Sequence, residues 1–179
     1  GNQLAHHGLE PAANLVIRDN PEDIKVFFSD AWKRSDLIIT TGGLGPTTDD
    51  ITRENIAQAL GEQLVFDASV ESALKERFSQ LGQSMPEISL RQCYRPENAE
   101  ILKNPYGTAP GIWLKKDNKI LVMLPGPARE MHPMFEEQVV PRLQKEGLFP
   151  EIDCYLQIRT RRIKMVNWIN GFDAGNKKE

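Results

Sequence analysis

The sequence predicts an α/β fold built on a mostly parallel sheet, and two observations carry this prediction. A strand, a helix and a second strand follow one another between residues 15 and 40. At residues 41–50 and 124–131, a loop rich in glycine or proline stands between an apolar strand and a helix. Both patterns are typical of parallel sheets, whose crossover connections are right-handed.

The first strand–helix–strand unit shows the pattern most clearly. Residues 15–17 are apolar and β-branched, as a strand end requires. Asn20 offers a side-chain cap to a helix, and Pro21 suits the first helical position. Residues 36–40 form an apolar run expected in a buried parallel strand. Between them, one helix face carries the apolar residues Ile24, Phe27, Phe28, Ala31 and Trp32.

The remaining elements follow from periodicity and turn residues. Helices are predicted at residues 51–60, 69–81 and 127–143, with a short helical piece from Pro86 toward Tyr94. The helix at 51–60 should turn Ile56, Ala59 and Leu60 inward. Residues 111–115 and 119–124 indicate an antiparallel hairpin that turns at Asp117 and Asn118. A last strand is expected at residues 154–158.

Composition excludes several classes of protein. The chain of 179 residues is 40% hydrophobic and 26% charged, as is usual for a globular domain. Its net charge of −3 gives no general attraction to nucleic acid or acidic membranes. We find no apolar run of ~18 residues that could span a membrane, and no signal peptide. Cys93 and Cys154 lack metal-ligand spacing, so we expect a cytoplasmic protein with reduced thiols.

One domain is expected over residues 1–160, with its first strand lying before Gly1. Residues 161–179 are basic and polar, and we expect a solvated, disordered tail there in preference to an anion-binding patch.

The glycine-rich loop at residues 41–50 is the strongest candidate site. Ligands of open α/β sheets bind beyond the carboxyl ends of the strands, where this loop is predicted to lie. Glycines allow close backbone approach, and successive N–H groups before a helix attract anions. The alternative is a turn that only connects strand to helix. The loop's candidate phosphate-binding residues are Thr41, Gly42, Gly43, Gly45, Thr47 and Thr48.

Asp49 and Asp50 follow these glycines and can be interpreted in two ways. One of them can cap the helix that starts near residue 51. Alternatively, carboxylates beside a phosphate site indicate a divalent cation between them, since carboxylate and phosphate oxygens are usual magnesium ligands. Both interpretations hold if one aspartate caps and the other faces the ligand.

A second loop directs another helix start toward the same edge of the sheet. Pro125, Gly126 and Pro127 make it stiff, while Arg129 can pair either with phosphate or with a nearby acid. A third turn at residues 104–111 adds Gly107 and Thr108 as possible parts of the pocket wall.

Together, the motifs at residues 40–52, 104–111 and 124–131 resemble the N-terminal domain of the CinA competence/damage-inducible proteins. That domain is similar to the molybdopterin-binding proteins MogA and MoaB, which have a Gly-Gly-Thr-Gly loop followed by an aspartate. Leu44 stands here in place of that threonine, and the doubled aspartate and the Gly-Thr-Ala-Pro-Gly motif favour CinA. The resemblance covers roughly residues 1–158.

The resemblance implies a three-layer α/β/α domain that self-associates and hydrolyses the pyrophosphate of ADP-ribose. It implies a divalent metal, whether magnesium, manganese or cobalt, and catalytic roles for Asp49 and Asp50. Full-length relatives often add a nicotinamide-mononucleotide deamidase domain, for which this chain has no room. Two alternatives stay open: a module that binds a pterin or nucleotide without turnover, and a non-enzymatic subunit that serves assembly.

Overall fold

A computed structural model describes residues 11–147 and the backbone of residues 155–160. The predictions about a preceding first strand and a disordered tail at 161–179 concern residues outside this described part. The last strand predicted at residues 154–158 is confirmed from Tyr155 onward, since a strand covers Tyr155–Thr160. The helices are α1 (Pro21–Arg34), α2 (Thr52–Leu60), α3 (Ala68–Gln80), α4 (Ala128–Met134) and α5 (Val140–Lys145), with a 3-10 segment at Glu87–Cys93. The strands are β1 (Ala13–Ile17), β2 (Leu37–Thr41), β3 (Leu64–Phe66), β4 (Tyr94–Pro96), β5 (Ala99–Leu102), β6 (Gly111–Lys116), β7 (Lys119–Leu124) and β8 (Tyr155–Thr160).

Six of these strands form one mixed sheet in the order β1-β8-β2-β7-β6-β5. The pairs β1–β8, β8–β2 and β2–β7 are parallel, whereas β6 is antiparallel to both of its neighbours. The first strand–helix–strand unit is therefore present, but its two strands are not adjacent. Strand β8, which comes last in the sequence, lies between β1 and β2.

Helices cover both faces of this sheet, so the predicted three-layer architecture is confirmed. Alternate residues of β2 and β7 point to opposite faces, as the pleat requires. On one face, Leu37 and Val122 belong to a core cluster with Phe135 and Val139 of the last helical segment. On the other face, Ile38 belongs to a cluster that contains residues of α1 and α2, including Ile24, Phe28 and Ile56.

Local signals in the sequence account for several element boundaries. Asn20 caps α1 by accepting hydrogen bonds from the backbone N–H groups of Glu22 and Asp23, at 3.0 and 3.1 Å. The β6–β7 hairpin turns at Asp117 and Asn118, whose φ angles are 54° and 60°. Two successive residues with positive φ are typical of the type I′ turn, which matches the twist of paired strands.

The last helical segment differs from the single helix predicted at residues 127–143. It consists of α4, a π-helical turn at Phe135–Val139, and α5. Pro133 lies inside α4 and Pro141 in the first turn of α5. Because proline removes a backbone donor and clashes with the preceding turn, two prolines eight positions apart disturb the regular helix between them.

Some side-chain predictions on the helices were wrong. On α2, Ile56 is buried and Leu60 packs against the core as predicted, but Ala59 is exposed and Ala57 is buried instead. Phe27 of α1 is 44% exposed because the inward face of that helix runs through Ile24, Phe28 and Ala31. Strands β3, β4 and β5 were not predicted; each has only three or four residues. No helix within residues 11–147 has the length and apolar character needed to cross a membrane.

Candidate functional site

A cleft of about 400 Å³ opens at the carboxyl ends of β2 and β7. This is where open α/β sheets bind ligands. The loop after β2 supplies one wall and the loop after β7 supplies another. The described residues that line the cleft are Asp19, Gly42, Gly43, Leu44, Gly45, Asp49, Asp50, Gln92, Thr108, Ala109, Pro125, Gly126, Pro127 and Glu130.

The two loops that were predicted to share this edge of the sheet are in direct contact. The backbone N–H of Gly42 donates to the carbonyl oxygen of Leu124 at 2.9 Å, which continues the β2–β7 pairing by one residue. A Cβ added at Gly126 would lie 3.4 Å from Gly42 Cα. The backbones of the two loops therefore form one continuous surface at the edge of the cleft.

Gly43 holds the glycine loop against the start of α2. Its carbonyl oxygen accepts a hydrogen bond of 3.2 Å from the backbone N–H of Thr52. Its φ is 70°, and a Cβ added there would lie 2.0 Å from Thr52 Oγ1. Only glycine meets both conditions, the left-handed backbone and the close approach.

Asp50 closes the glycine loop on itself. Its Oδ2 accepts hydrogen bonds from the backbone N–H of Thr47, at 3.0 Å, and from the Thr47 hydroxyl. The N-cap position of α2 belongs to Ile51, which forms no side-chain cap. Neither aspartate therefore occupies the N-cap position of this helix, in contrast to the prediction. A short-range bond to Thr47 competes with the cap, as aspartate side chains in turns often do.

Arg91 braces the same loop from the 3-10 segment. Its guanidinium donates to the carbonyl oxygens of Pro46, at 3.4 Å, of Thr47, and of Asp50, at 3.1 Å. It also lies 3.4 Å from a carboxylate oxygen of Glu54. Arginine can serve several acceptors at once because its five donors form a rigid fork. Sequence inspection did not single out this residue.

Glu130 lines the cleft, and Asn104 holds its carboxylate in place. Asn104 Nδ2 donates to the Ala109 carbonyl oxygen at 2.8 Å and to Glu130 Oε2 at 2.9 Å. Glu130 is only 7% exposed, and a Cβ added at Gly107 would lie 1.8 Å from its Oε2. The turn at residues 104–111 is thus fixed to the start of α4 by side-chain contacts.

The structure brings most of the predicted site residues to the cleft. Nine of them line it: Gly42, Gly43, Gly45, Asp49, Asp50, Thr108, Pro125, Gly126 and Pro127. The other five lie beside it: Thr41 is buried, Thr47 and Thr48 are exposed, and Gly107 packs against Glu130. Arg129 is 82% exposed at its side chain and lies 3.7 Å from Glu130 Oε1. That geometry matches the ion-pair alternative predicted for Arg129.

Sequence reasoning missed three polar residues that line the cleft. Asp19 follows β1 at the same edge of the sheet, so the strand-end rule that indicated the glycine loop could have found it. Glu130 lies inside the second loop motif but was not predicted to line the site. Gln92 ends a 3-10 segment that approaches the cleft from a distant part of the sequence, and no local pattern marks it.

The cleft is acidic. Four carboxylates line it, from Asp19, Asp49, Asp50 and Glu130, and its described lining contains no lysine, arginine or histidine. An anionic ligand would meet repulsion from these groups, which backbone N–H groups offset only in part. Within residues 11–147, no group of three or more His, Cys, Asp or Glu side chains is arranged to hold a metal ion.

Fold and cleft define a domain of the molybdopterin-binding type, and comparisons with known proteins agree. The family model described as "Probable molybdopterin binding domain" matches residues 1–145. A CinA protein of unknown function from Thermoplasma acidophilum has a solved structure that superposes with a TM-score of 0.70, at 31% identity over 82% of each chain. The chain therefore belongs to the family of molybdopterin-binding-type domains, and within it to the CinA proteins.

Other relatives place the chain in the same group. A "Putative competence-damage inducible protein" of Clostridium botulinum is 46% identical over 143 residues, which are 80% of this chain and 35% of that protein. A CinA-like protein of Syntrophomonas wolfei is 41% identical over 149 residues, again 35% of its length. The chain thus spans about a third of these relatives. A molybdenum cofactor biosynthesis protein B shares the fold, with a TM-score of 0.52 at 16% identity, covering 82% of this chain and 79% of its own.

Proposed function

We propose that the cleft binds a nucleoside diphosphate sugar and that the domain hydrolyses its pyrophosphate, with ADP-ribose as the test substrate. The observation that carries this proposal is the meeting of two backbone loops, at Gly42 and Gly126, beside four carboxylates. The loops offer N–H groups for phosphate oxygens, as glycine-rich loops before helices do. The proposal assigns a supporting role, in the loops or at the rim of the cleft, to Thr41, Thr47, Thr48 and Arg129.

The acidic lining supports a requirement for a divalent cation. Asp49 and Asp50 lie side by side on the cleft, and one oxygen of Asp50 is already used by Thr47. Two carboxylates suffice for a magnesium-type cation when the ligand's phosphate oxygens and waters complete the octahedron. The residues present therefore fit such an ion, whether magnesium, manganese or cobalt. When bound, it would neutralise phosphate charge and make hydroxide accessible near neutral pH.

The reaction needs few changes of bonding. Water attacks one phosphorus of the pyrophosphate, the bond from that phosphorus to the bridging oxygen breaks, and the bridging oxygen leaves with the second phosphate. The water gives up one proton, and the products are AMP and ribose 5-phosphate. The protein's share is to hold both phosphates against the loops and to keep the reacting phosphorus near Asp49 and Asp50.

The direct test is turnover of ADP-ribose with magnesium, manganese or cobalt, followed by product analysis. Asp49→Asn and Asp50→Asn should each lower kcat by at least about a hundredfold, in the range measured for loss of a group that stabilises transition-state charge. Asp117→Asn is the matched control, because it removes the same charge at a distant turn where asparagine tolerates the positive φ. The absence of turnover with all three metals, with Asp50→Ala binding ligand as the wild type does, would contradict the proposal.

A binding module without turnover is the second candidate. It is supported by the description of the matching family model as molybdopterin-binding. In that case the cleft holds a pterin or nucleotide, and binding needs no divalent metal. A thermal-shift screen of nucleotides and pterins, with and without metal, separates the two candidates. Self-association, expected from the resemblance, is measured in the same samples by light scattering; particles of monomer mass would contradict it.

A further inference from the structure

A buried amide in the cleft wall lacks half of its hydrogen bonding. Gln92 is 1% exposed and lines the cleft. Its Nε2 donates to Thr108 Oγ1 at 3.2 Å, whereas its Oε1 has no hydrogen-bond partner among the described residues. Because the amide nitrogen is bonded to Thr108, the amide oxygen is the atom that still lacks a hydrogen bond.

An unpaired buried acceptor destabilises the fold, so its presence in a cleft suggests that a ligand supplies the missing hydrogen bond. Leaving such a group without a partner costs about 1–3 kcal/mol, and most buried polar groups in native proteins are paired. Within the described residues, three other side-chain atoms share this condition: Thr40 Oγ1, Arg53 Nε and Glu54 Oε2. None of these three residues lines the cleft, whereas Gln92 does. Of these four atoms, therefore, only Gln92 Oε1 belongs to a residue that a ligand in the cleft would contact.

We propose that Gln92 is a specificity-determining residue, whose Oε1 accepts a hydrogen bond from an N–H or O–H group on the non-phosphate part of the ligand. This inference rests on the proposed nucleotide binding and deepens it. The loops bind the phosphates, and the wall formed by Gln92 and Thr108 recognises a donor.

Neighbouring groups indicate which chemistry this wall accepts. The carboxylate of Glu130, held beside Gly107, is a second acceptor on the same side of the cleft as Thr108. Thr108 Oγ1 accepts from Gln92, which leaves its own proton available to donate. Two acceptors and one donor suit an exocyclic amino group of a base or pterin, or a ribose hydroxyl. The ligand series must separate these two sources of the donor.

The test combines a protein change with a ligand change. Affinities of wild type and Gln92→Leu are measured by calorimetry for ADP-ribose, for its hypoxanthine analogue and for its 2′-deoxyadenosine analogue. Wild type should bind one of the two analogues about tenfold more weakly than ADP-ribose, the worth of one hydrogen bond. Gln92→Leu should lose that preference, which assigns the donor to the amino group or to the hydroxyl.

Two further measurements separate recognition from a structural role. Without ligand, Gln92→Leu should unfold at about the same temperature as wild type, because removal of the unpaired acceptor offsets the lost bond from Nε2 to Thr108. The control Gln58→Leu, at an exposed site on α2, should leave every affinity unchanged.

The possible failures can be told apart. Equal discrimination among the ligands by wild type and Gln92→Leu would overturn this inference and leave the proposed function intact. A wild-type protein that binds none of the three nucleotides, with or without divalent metal, would overturn both. A large loss of stability in ligand-free Gln92→Leu, with ligand preference unchanged, would assign Gln92 a structural role and reject the inference.

Discussion

Gly43 and Thr52 approach so closely that no side chain fits between them, since a Cβ at Gly43 would lie 2.0 Å from Thr52 Oγ1. This contact joins the glycine loop to the first turn of α2. Gly43→Ala should therefore cost a few kcal/mol of unfolding free energy, from about 1–2 for the left-handed backbone and about 1–3 for overpacking. Denaturant unfolding measures the loss.

Gly61 provides a matched control for that change. Its φ is 67°, close to the 70° of Gly43, but a Cβ added there meets nothing within 4 Å. Gly61→Ala should therefore cost only the backbone strain and leave ligand affinity unchanged. Equal losses in the two variants would show that the contact with Thr52 has no energetic weight.

The second prediction concerns Arg91, which donates to three carbonyl oxygens of the glycine loop. Arg91→Ala should weaken nucleotide affinity by at least about tenfold, because the loop loses bonds that fix its backbone. Arg91→Lys should not restore affinity, since one ammonium group cannot reproduce the planar fork. Calorimetry gives both affinities.

Arg34→Ala is the control for Arg91, because it removes an arginine from an exposed ion pair with Asp30 on α1. Such a pair contributes about 0–1 kcal/mol and lies outside the cleft lining. If Arg91→Ala bound ligand as tightly as Arg34→Ala does, the hydrogen bonds from Arg91 to the glycine loop would not contribute to ligand affinity.

The third prediction is a pH dependence of stability at the start of α3. Hydrogen bonds from the Ser69 side chain and from Arg95 hold the pKa of Asp67 at about 2, below its usual 3.8. Because the folded pKa is the lower one, ionised Asp67 stabilises the fold above pH 4, and this contribution falls as the pH approaches 2. It amounts to about 2 kcal/mol at neutral pH, and about half remains at pH 3.

Asp67→Asn isolates this effect, because asparagine keeps the helix cap and removes the charge. Unfolding free energies of wild type and variant should differ by about 2 kcal/mol at pH 6 and by clearly less at pH 3. A difference independent of pH would mean that the Asp67 pKa is not lowered in the folded state.

The fourth prediction uses Cys93 as a reporter of local opening. This thiol is fully buried beside Val70 and Leu74, and burial raises its pKa, with a smaller contribution from the charge of Glu71. Thiol reagents should therefore label Cys93 at least about a hundredfold more slowly in the native protein than in denaturant, because both access and thiolate are lacking. Peptide mapping distinguishes Cys93 from Cys154.

Cys93 directly follows Gln92, so its labelling also responds to ligand. A ligand that bonds to Gln92 should slow labelling further, since the 3-10 segment must leave the cleft before the thiol is reached. Labelling as fast in the native state as in denaturant would contradict the burial itself.

Local patterns predicted the parts of the fold that depend on local interactions. Asn20 and Pro21 mark the start of α1, and Asp117 with Asn118 marks the hairpin turn, because caps and turns act over a few residues. The position of β8 between β1 and β2 could not be read in this way. Strand order depends on pairing between segments more than 100 residues apart, which periodicity does not encode.

The same distinction applies to the cleft. Its loops follow β2 and β7 directly, so the strand-end rule found Gly42 and Gly126. Arg91 and Gln92 come from a 3-10 segment whose approach is fixed by packing around Cys93. The prediction of a helix cap by Asp50 was wrong for a related reason. Its side chain is hydrogen-bonded to Thr47, and residue type alone does not predict which of the two bonds forms.

The place of β8 also constrains when the protein can fold. Among the described strands, β1 has β8 as its only neighbour, and β2 needs β8 to complete its own pairing. During synthesis, β1 therefore lacks this strand partner until residue 160 has left the ribosome. Because this closure joins the two ends of the described chain, we expect the β1–β8–β2 part of the sheet to form last, after β2, β7, β6 and β5 have paired.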